Sequence, residues 1–390
     1  MIKVLKNSKG YDIINANNKK RRKGMKKFLS ILLIAMMLMA LVSCIDFYNS
    51  YETSEGLEFE LNDDGKSYSV VGFGTFDGIT SYDHITIVIP NTYKDLPVTS
   101  IGNSAFANEN CYEINSLKIP DSVVRIGDYA FSSCPFLATV NIPASVESIG
   151  YQAFSGCYSL KSIEVDENNE YYKSIDGSLY SKNGKTLIQY AYGKEDESFT
   201  IPNSVTNIGD YAFTFSYSLR SVNITDSVIS IGEGAFTHCD NLESVVIGNS
   251  VTNIGSFAFG SCNALVSINI PDSVTSIGYS SFGQCKSLKS IKFGDNSQLN
   301  SIGEMAFYDC YSLTSIEIPD SVVSIGSLAF SYCDMLTSII IPDSVISIGD
   351  GAFAWCDQLT IFCEATSQPS GWDTNWNNYN HPVVWGYTGQ

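Results

Sequence analysis

Charged side chains are scarce in this sequence, since Asp, Glu, Lys and Arg make up 16% of its 390 residues against a usual fraction of about one quarter. Aromatic side chains are abundant, with 23 Tyr and 21 Phe. Disordered chains combine low hydrophobicity with high charge, so this composition argues against disorder. The length suits either two ordinary domains or one long repeat array.

Common catalytic and metal-binding motifs are missing as well. The sequence has no Gly-x-Ser-x-Gly, no His-Glu-x-x-His, no phosphate-binding loop and no Cys-x-x-Cys pair, which removes the usual signals of several enzyme classes and of zinc sites. Its three histidines, His84, His238 and His381, are scattered along the chain. We therefore predict a protein that is not an enzyme, with no catalytic residue, no cofactor and no metal ligand.

Basic residues are rare outside the first part of the chain. Residues 1–43 hold 10 of the 23 Lys and Arg and a single acid, Asp12. The remaining residues include 13 basic and 40 acidic side chains, a net charge of −27. A surface of this charge repels nucleic acid at long range, so we expect no nucleic-acid partner.

Residues 25–43 are predicted to be a lipoprotein signal peptide. Lys26 and Lys27 precede an apolar run at 28–41 that has 14 residues, fewer than the roughly 20 needed to span a membrane and typical of a secretory signal. The run leads into Leu-Val-Ser-Cys, ending at Cys44, which resembles the bacterial lipobox. The resemblance implies lipidation of Cys44 and export to the cell surface. A plain secretory signal and an uncleaved membrane anchor are the alternatives.

Residues 1–24 precede this signal and carry five consecutive basic side chains from Lys19 to Lys23. They are either an extended basic region, in which a twin-arginine signal is an option, or a consequence of a start codon assigned upstream of Met25. We favour the second interpretation. Residues 44–56 are polar and aromatic without clear periodicity, and we interpret them as a tether.

A repeat dominates the rest of the sequence, and such repeats are characteristic of solenoids and arrays. Most units are 23 residues long, two are 25, and one gap of 59 marks an insertion. The unit reads Ile-Gly-x-x-Ala-Phe-x-x-Cys-x-x-Leu-x-Ser-Ile-x-Ile-Pro-Asp-Ser-Val-x-Ser. Its Ile-Gly pair begins at Ile101, Ile126, Ile149, Ile208, Ile231, Ile254, Ile277, Ile302, Ile325 and Ile348.

The last unit illustrates what each residue type predicts. Ile339 and Ile341 alternate as in a strand and send their side chains to one face. Pro342 and Asp343 then favour a turn, and Gly349 is expected where the backbone bends back. One unit cannot bury its apolar residues alone, whereas stacked units can, so stability arises between neighbours.

This pattern resembles the BspA-like leucine-rich repeat family of surface proteins over residues 57–390. The resemblance implies a β-rich leucine-rich-repeat solenoid of ten coils at 101–363. It also implies a β-rich N-terminal cap at 57–100, a hairpin insertion at 166–199 with a turn at Asn183-Gly184, and an aromatic C-terminal cap at 364–390. Members of the family act as adhesins that bind host matrix proteins or neighbouring microbes, which implies the same class of partner here.

Most of the eleven cysteines occupy one position of the repeat. A position used once per coil stacks into a column, with neighbours about 5 Å apart if they follow sheet spacing. Parallel side chains in a column do not favour disulfides, and free cysteine buries readily. We predict a buried thiol ladder, with some disulfides or a metal site as alternatives. The column comprises Cys134, Cys157, Cys239, Cys262, Cys285, Cys310, Cys333 and Cys356, and Ser216 replaces cysteine in one unit.

The variable positions of Leu-x-Ser-Ile-x-Ile face away from the core and are the predicted partner-binding surface, because solenoids bind along extended faces. Its candidate residues are Lys161, Glu164, Glu243, Lys289, Lys292, Thr314 and Glu317.

Two further clusters have competing interpretations. Trp372, Trp376 and Trp385 either form a glycan platform or close the end of the core. The recurring turn aspartates either form ordinary turns or a calcium ladder, which would need several oxygens per ion.

The sequence thus predicts a lipid-anchored surface protein that binds extracellular proteins. A carbohydrate-binding protein and a structural envelope scaffold are the alternatives.

Overall fold

The computed structural model describes residues 50–73, 84–107, 111 and 114–389. Among them, the residues from Glu52 onward, except His84, belong to one compact unit, and Ser50, Tyr51 and His84 fall in another. The larger unit contains the repeat array. The described residues form strands and turns, and none of them forms a helix that is long and apolar enough to cross a membrane.

Thirty strands are present in the described residues, most of them two to five residues long. In chain order they are β1 (Ser50–Thr53), β2 (Leu57–Leu61), β3 (Tyr68–Phe73), β4 (His84–Val88), β5 (Thr92–Tyr93), β6 (Leu96–Ile101), β7 (Ile114–Lys118), β8 (Arg125–Ile126), β9 (Thr139–Ile142), β10 (Ser148–Ile149), β11 (Ser162–Val165), β12 (Tyr172–Ile175), β13 (Ser178–Ser181), β14 (Thr186–Gln189), β15 (Ser198–Thr200), β16 (Asn207–Ile208), β17 (Ser221–Asn223), β18 (Ser230–Ile231), β19 (Ser244–Val246), β20 (Asn253–Ile254), β21 (Ser267–Ile270), β22 (Ser276–Ile277), β23 (Ser290–Phe293), β24 (Ser301–Ile302), β25 (Ser315–Ile316), β26 (Ser324–Ile325), β27 (Ser338–Ile341), β28 (Ser347–Ile348), β29 (Thr360–Cys363) and β30 (Val383–Trp385).

Each regular coil contributes two strands, and each strand pairs in parallel with its counterparts in the neighbouring coils. The strand before the Ile-Gly glycine joins a long sheet in which identical positions lie opposite each other, as Ile254 does to Ile277. The strand after the repeat leucine forms shorter sheets by the same rule. The long sheet is β12-β13-β14-β16-β18-β20-β22-β24-β26-β28, preceded by β10-β8-β6-β3-β2, and the shorter sheets are β4-β7-β9-β11, β15-β17-β19, β21-β23-β25 and β27-β29-β30.

The third side of each coil is a turn that also bonds to the next coil. Alternate amides donate across coils, as Phe257 N does to Tyr279 O at 2.7 Å and Phe259 N to Ser281 O at 2.7 Å. Two residues per coil adopt the left-handed conformation here, for example Phe257 at φ 55° and Ser261 at φ 58°. This conformation costs a non-glycine residue about 1–2 kcal/mol, and the hydrogen bonds between coils offset that cost.

The glycine of each Ile-Gly pair is required by close packing. Gly349 lies directly after β28, where the chain turns, but it does not adopt a left-handed φ, so its conformation alone does not require glycine. An added Cβ at Gly349 would lie 2.4 Å from Ser327 N in the preceding coil. The equivalent Gly326 would meet Glu304 N at the same distance. Glycine therefore recurs because any side chain at this position would collide with the backbone of the neighbouring coil.

The core is a set of columns, one residue per coil. The central column consists of phenylalanines whose rings stack with centroids 4.7–5.7 Å apart and are inclined by 2–15° between Phe213 and Phe353. All of them are fully buried. Offset stacking of this kind adds to the apolar burial that drives folding.

The 59-residue gap contains two antiparallel hairpins that lead back into the long sheet. β12 pairs with β13, and β13 pairs with β14 across a turn that contains Asn183 and Gly184, as the sequence predicts. Leu187 of β14 then takes the position of a repeat isoleucine opposite Ile208. The ring of Tyr190 stacks on Phe213 at 5.0 Å, so a tyrosine substitutes for the missing phenylalanine.

The last coil is covered by residues 369–385. The indole Nε1 of Trp372 donates to Val345 O at 3.0 Å, and Asp373 N donates to Ile348 O at 2.8 Å. The ring Nε2 of His381 lies 2.8 Å from Phe353 O, the carbonyl that a cysteine of a further coil would contact. Carbonyl groups at the end of the array are therefore bonded by side chains and backbone of this segment.

Candidate interaction face

The strands after the repeat leucine separate core from solvent by simple alternation. In β23, Ile291 is buried and Lys292 is exposed, because successive side chains of a strand point to opposite faces. The outward positions differ from coil to coil. We call this outward side, formed by β11, β15, β17, β19, β21, β23, β25 and β27, the strand face.

All seven residues predicted to bind a partner are exposed on or beside this strand face: Lys161, Glu164, Glu243, Lys289, Lys292, Thr314 and Glu317. The structure brings only part of this set together. Lys161 pairs with Glu195 at 2.7 Å and Glu243 with Arg220 at 2.6 Å, each at its own place along the array. Exposed pairs of this kind contribute little stability.

The remaining predicted residues lie on or directly beside two adjacent strands. Ser290 of β23 is opposite Ser315 of β25, and Thr314 N and Oγ1 both donate to Lys289 O, at 3.1 and 3.2 Å. Lys289 and Thr314 are therefore neighbours. Lys292 within β23 and Glu317 directly after β25 complete a local cluster of one acidic, one neutral and two basic residues.

A groove opens beside this cluster. The pairing of β23 with β25 stops at Ile291 and Ile316, two residues before β23 ends. The turn after β23 is longer than its counterparts, since the step from Ile277 to Ile302 spans 25 residues. Together these features leave a groove of 570 Å³, lined by residues 290–297 and 315–321.

The groove is mainly polar and carries both signs of charge. Lys292 is its one basic side chain, and Glu317, Asp295 and Asp320 are its acids. All four are exposed. The groove can form hydrogen bonds and ion pairs with a partner, and the side chains of Phe293 and Pro319 add apolar contact.

A second groove, of 670 Å³, lies on the same side of the array between the turns after β15, β17 and β19. It is lined by Asn203, Asn223, Ile224, Thr225, Asp226, Ser227, Val246, Ile247, Gly248 and Asn249. Val246 on its wall is 61% exposed. Val246 occupies a variable position of Leu-x-Ser-Ile-x-Ile, and a lone apolar residue at such a position gives no signal of a groove in the sequence.

The tryptophan cluster is a packing element. Trp372 and Trp376 are each 4% exposed and belong to the hydrophobic core, against which Trp385 is packed. The indole rings of Trp372 and Trp376 lie 4.7 Å apart in an edge-to-face arrangement. Because these two rings are buried, a sugar cannot stack on them. The geometry favours closure of the core over a glycan platform.

The cysteine column is a ladder of buried thiols. Each Sγ donates to the phenylalanine carbonyl of the preceding coil, as in Cys285 to Phe259 O and Cys310 to Phe282 O, both at 3.1 Å. Free and buried cysteines are Cys134, Cys157, Cys239, Cys262, Cys285, Cys310, Cys333, Cys356 and Cys363. This confirms the predicted thiol ladder. In the unit without cysteine, the buried Ser216 hydroxyl finds no hydrogen-bond partner among the described residues.

Burial should make these thiols unreactive. It raises the pKa of Cys239 and Cys285 to about 12, and the thiolate is the reactive species. We expect iodoacetamide at mildly alkaline pH to leave the ladder unmodified in the folded protein and to alkylate it fully in guanidinium chloride, as measured by mass spectrometry. Rapid alkylation of the native ladder would contradict this expectation.

The same shift in pKa sets a pH dependence of stability. An unfolded thiol has a pKa of about 8.5, so above that pH the unfolded state releases protons that the folded state retains. The contribution of the buried thiols to the free energy of unfolding is therefore fully present below about pH 8.5. It is lost as the pH rises towards the pKa values of the thiols in the folded state.

Among the described residues, no group of three or more His, Cys, Asp or Glu side chains could hold a metal ion. The turn aspartates instead bond to backbone, as when Asp226 Oδ1 accepts from Asn249 N at 2.7 Å. Cys44, the predicted lipidation site, and the predicted signal at 25–43 lie outside the described residues.

Comparison with known proteins agrees with this architecture. The profile of the BspA type leucine-rich repeat region matches residues 49–184, 185–300 and 296–367 in six copies. No curated protein sequence matches the chain. Among solved structures, a leucine-rich repeat protein from Eubacterium ventriosum is 25% identical with a TM-score of 0.59, covering 81% of this chain and 95% of its own.

Two more solved structures are similar with lower TM-scores. A leucine-rich repeat protein from Bacteroides ovatus is 28% identical, with a TM-score of 0.43 and coverage of 86% of this chain and 91% of its own. A leucine-rich cell surface protein from Faecalibacterium prausnitzii is 23% identical, with a TM-score of 0.41 and coverage of 87% and 98%. The repeat, its stacked parallel strands and the matched profile together show that the chain belongs to the BspA-type leucine-rich repeat family.

Proposed function

We propose that this chain is a lipid-anchored cell-surface protein that binds extracellular proteins along the strand face, with adhesion to host or neighbouring-cell proteins as its role. The observation that carries the proposal is the 570 Å³ groove between β23 and β25, flanked by Lys289, Lys292 and Glu317. Variable polar side chains around a groove on a regular scaffold are typical of solenoid binding surfaces, and leucine-rich repeats serve mainly as interaction scaffolds.

A binding experiment tests this function. The full chain in detergent would be applied to surfaces coated with matrix proteins, plasma proteins or polysaccharides. We expect saturable binding to a protein ligand. Binding to polysaccharides alone would replace it with the carbohydrate-binding alternative, and the absence of binding to any surface would leave a structural scaffold.

A triple substitution should locate the site. Lys289→Thr, Lys292→Asn and Glu317→Thr each introduce a residue that another coil carries at the same position, so the fold should persist. We expect the affinity for the protein ligand to fall about tenfold, which corresponds to about 1.4 kcal/mol, because the charges around the groove are removed.

The matched control for this substitution changes the turn side of the same coils. Lys286→Asn and Glu304→Ser remove one charge of each sign, whereas the triple substitution removes two basic charges and one acidic charge, and other coils carry Asn263 and Ser327 at these positions. The control should bind as tightly as the unaltered chain. An equal loss in both variants would show that the groove is not the site.

Lipid anchoring is tested at Cys44. We expect Cys44→Ser to prevent incorporation of labelled fatty acid and to release the chain from the outer surface, because serine lacks the thiol that would carry the lipid and the acyl chains provide the anchor. The readouts are metabolic labelling and fractionation of membranes. Unchanged labelling of the variant would reject Cys44 as the lipidated residue.

We also propose that residues 57–100 and 364–390 cap the two ends of the array. In support, β2 and β3 form an antiparallel hairpin that pairs with β6, so the first coil does not present an open edge. At the other end, the bonds of Trp372 and Asp373 to the last coil serve the same purpose. Terminal units of this kind are needed in repeat proteins.

A further inference from the structure

The charge of the chain is distributed unevenly along the array. Lys292 is the last lysine or arginine, and residues 293–390 contain 11 acids and no basic residue apart from His381. The last coils are therefore uniformly acidic. A field of one sign attracts ligands of the opposite sign and speeds their association.

A row of aromatic side chains crosses the turn side of these acidic coils. We call Tyr308, Tyr332, Trp355 and Tyr379 the aromatic row. Their successive ring centroids lie 5.5, 5.5 and 4.6 Å apart. Trp355 is 46% exposed and Tyr379 38%. Large aromatic side chains that are exposed together mark an interaction surface, because folding alone does not require apolar rings to face solvent at neighbouring positions.

Carboxylates accompany the aromatic row. Asp309, Asp334 and Asp357 each neighbour the repeat cysteine in successive coils, and Asp334 and Asp357 are exposed. Burial, together with the charges of Asp357 and Asp309, raises the pKa of Asp334. The three carboxylates therefore repel one another, and a cation placed among them would relieve that repulsion.

Arginine is the side chain that matches both features. Its planar guanidinium stacks on aromatic rings and forms paired hydrogen bonds with carboxylates, whereas lysine presents a compact, strongly hydrated charge. A neutral sugar fits less well, because it carries no positive charge to pair with the three carboxylates beside the rings. Met335, 49% exposed beside Asp334, adds adaptable apolar contact.

We propose that the aromatic row and its three aspartates form a second docking surface, which binds an arginine-rich segment of a partner protein. This surface lies on the turn side of the last coils, whereas the groove at Lys292 lies on the strand face. Its occupancy does not depend on the function proposed for the strand face.

The probe is a synthetic peptide of alternating arginine and serine, titrated with the full chain and followed by fluorescence anisotropy. Its counterparts replace arginine by lysine or by citrulline, which keeps the shape of arginine without the charge. We expect saturable binding of the arginine peptide, several-fold weaker binding of the lysine peptide and none of the citrulline peptide. Equal binding of the arginine and lysine peptides would show diffuse charge attraction and overturn the proposal.

Variants then assign the surface. Tyr332→Ser and Trp355→Ser place serine at a left-handed position of the repeat. Two other coils already carry serine there, as Ser133 and Ser261, so folding should be retained. The combined variant is expected to weaken arginine-peptide binding about tenfold, since each aromatic contact with a cation contributes about 0.5–2 kcal/mol. Asp334→Asn with Asp357→Asn should weaken it at least as much.

A matched control uses equivalent positions in earlier coils. Phe215 and His238 stack at 5.1 Å at the same repeat position as Tyr332 and Trp355, and Asp240 corresponds to Asp334. Phe215→Ser with Asp240→Asn should leave arginine-peptide binding unchanged. If this control weakens binding as much as the aromatic-row variants, or if a neutral oligosaccharide binds the row in preference to the arginine peptide, the proposal is wrong.

Discussion

Phe282→Ala is expected to lower the free energy of unfolding by about 3–5 kcal/mol, the range for truncating a fully buried aromatic ring. The ring of Phe282 stacks on Phe259 at 5.3 Å and on Phe307 at 5.4 Å. Its removal leaves a cavity in the middle of the column that neither neighbour can fill, because each is held by its own coil. Urea denaturation followed by circular dichroism measures the change.

The control for this substitution is another phenylalanine of the repeat region. Phe136 is 51% exposed, so Phe136→Ala should change the free energy of unfolding by less than about 0.5 kcal/mol. A small loss for Phe282→Ala would mean that neighbouring coils can close over the cavity. The column would then be less rigid than its stacking indicates.

Gly326→Ala should also destabilise the protein, by about 3 kcal/mol, the upper end of the usual cost of overpacking. The new Cβ would lie 2.4 Å from Glu304 N and 2.6 Å from Gly303 C. Both atoms are backbone, so relief requires neighbouring coils to move apart and strains the hydrogen bonds between them. The measurement is the midpoint and slope of the urea transition.

Gly260→Ala is the matched control for this glycine. Its new Cβ would meet no atom closer than 3.3 Å, and Ala354 occupies the same repeat position in the last coil. We expect this control to leave stability nearly unchanged. If both substitutions destabilise the protein equally, the cause is a general effect of replacing glycine by alanine. The close contact between coils at Gly326 would then not explain the loss.

Much of the fold follows from the sequence because the same residue type recurs at the same position in many repeat units. Ile254 and Ile277 lie opposite each other since a fixed period places equal residues in register. The buried cysteine column follows from the same logic. The role of Gly349 does not follow from the sequence, because glycine is used both in left-handed turns and at close contacts, and the residue type alone does not distinguish the two uses.

The candidate sites were less predictable than the fold. Clustering of Trp372 and Trp376 in sequence carries no information on burial, whereas the exposed Trp355 occupies a position that varies between coils. A weak signal existed, since Tyr332 and Trp355 each directly precede a cysteine of the column and Phe215 precedes Ser216, which replaces that cysteine. The 25-residue step from Ile277 to Ile302 likewise marks the groove, but spacing alone does not reveal that two strands separate there.

The bond between His381 and Phe353 O has a consequence for the length of the array. The covering segment contacts the last coil at groups that every coil presents, such as this carbonyl and that of Ile348. A whole coil could therefore be inserted or deleted ahead of this segment, and the same contacts would form again one step further along. Recombination between near-identical repeats in the gene could thus lengthen or shorten the array in single-coil steps while preserving the contacts that cover its last coil.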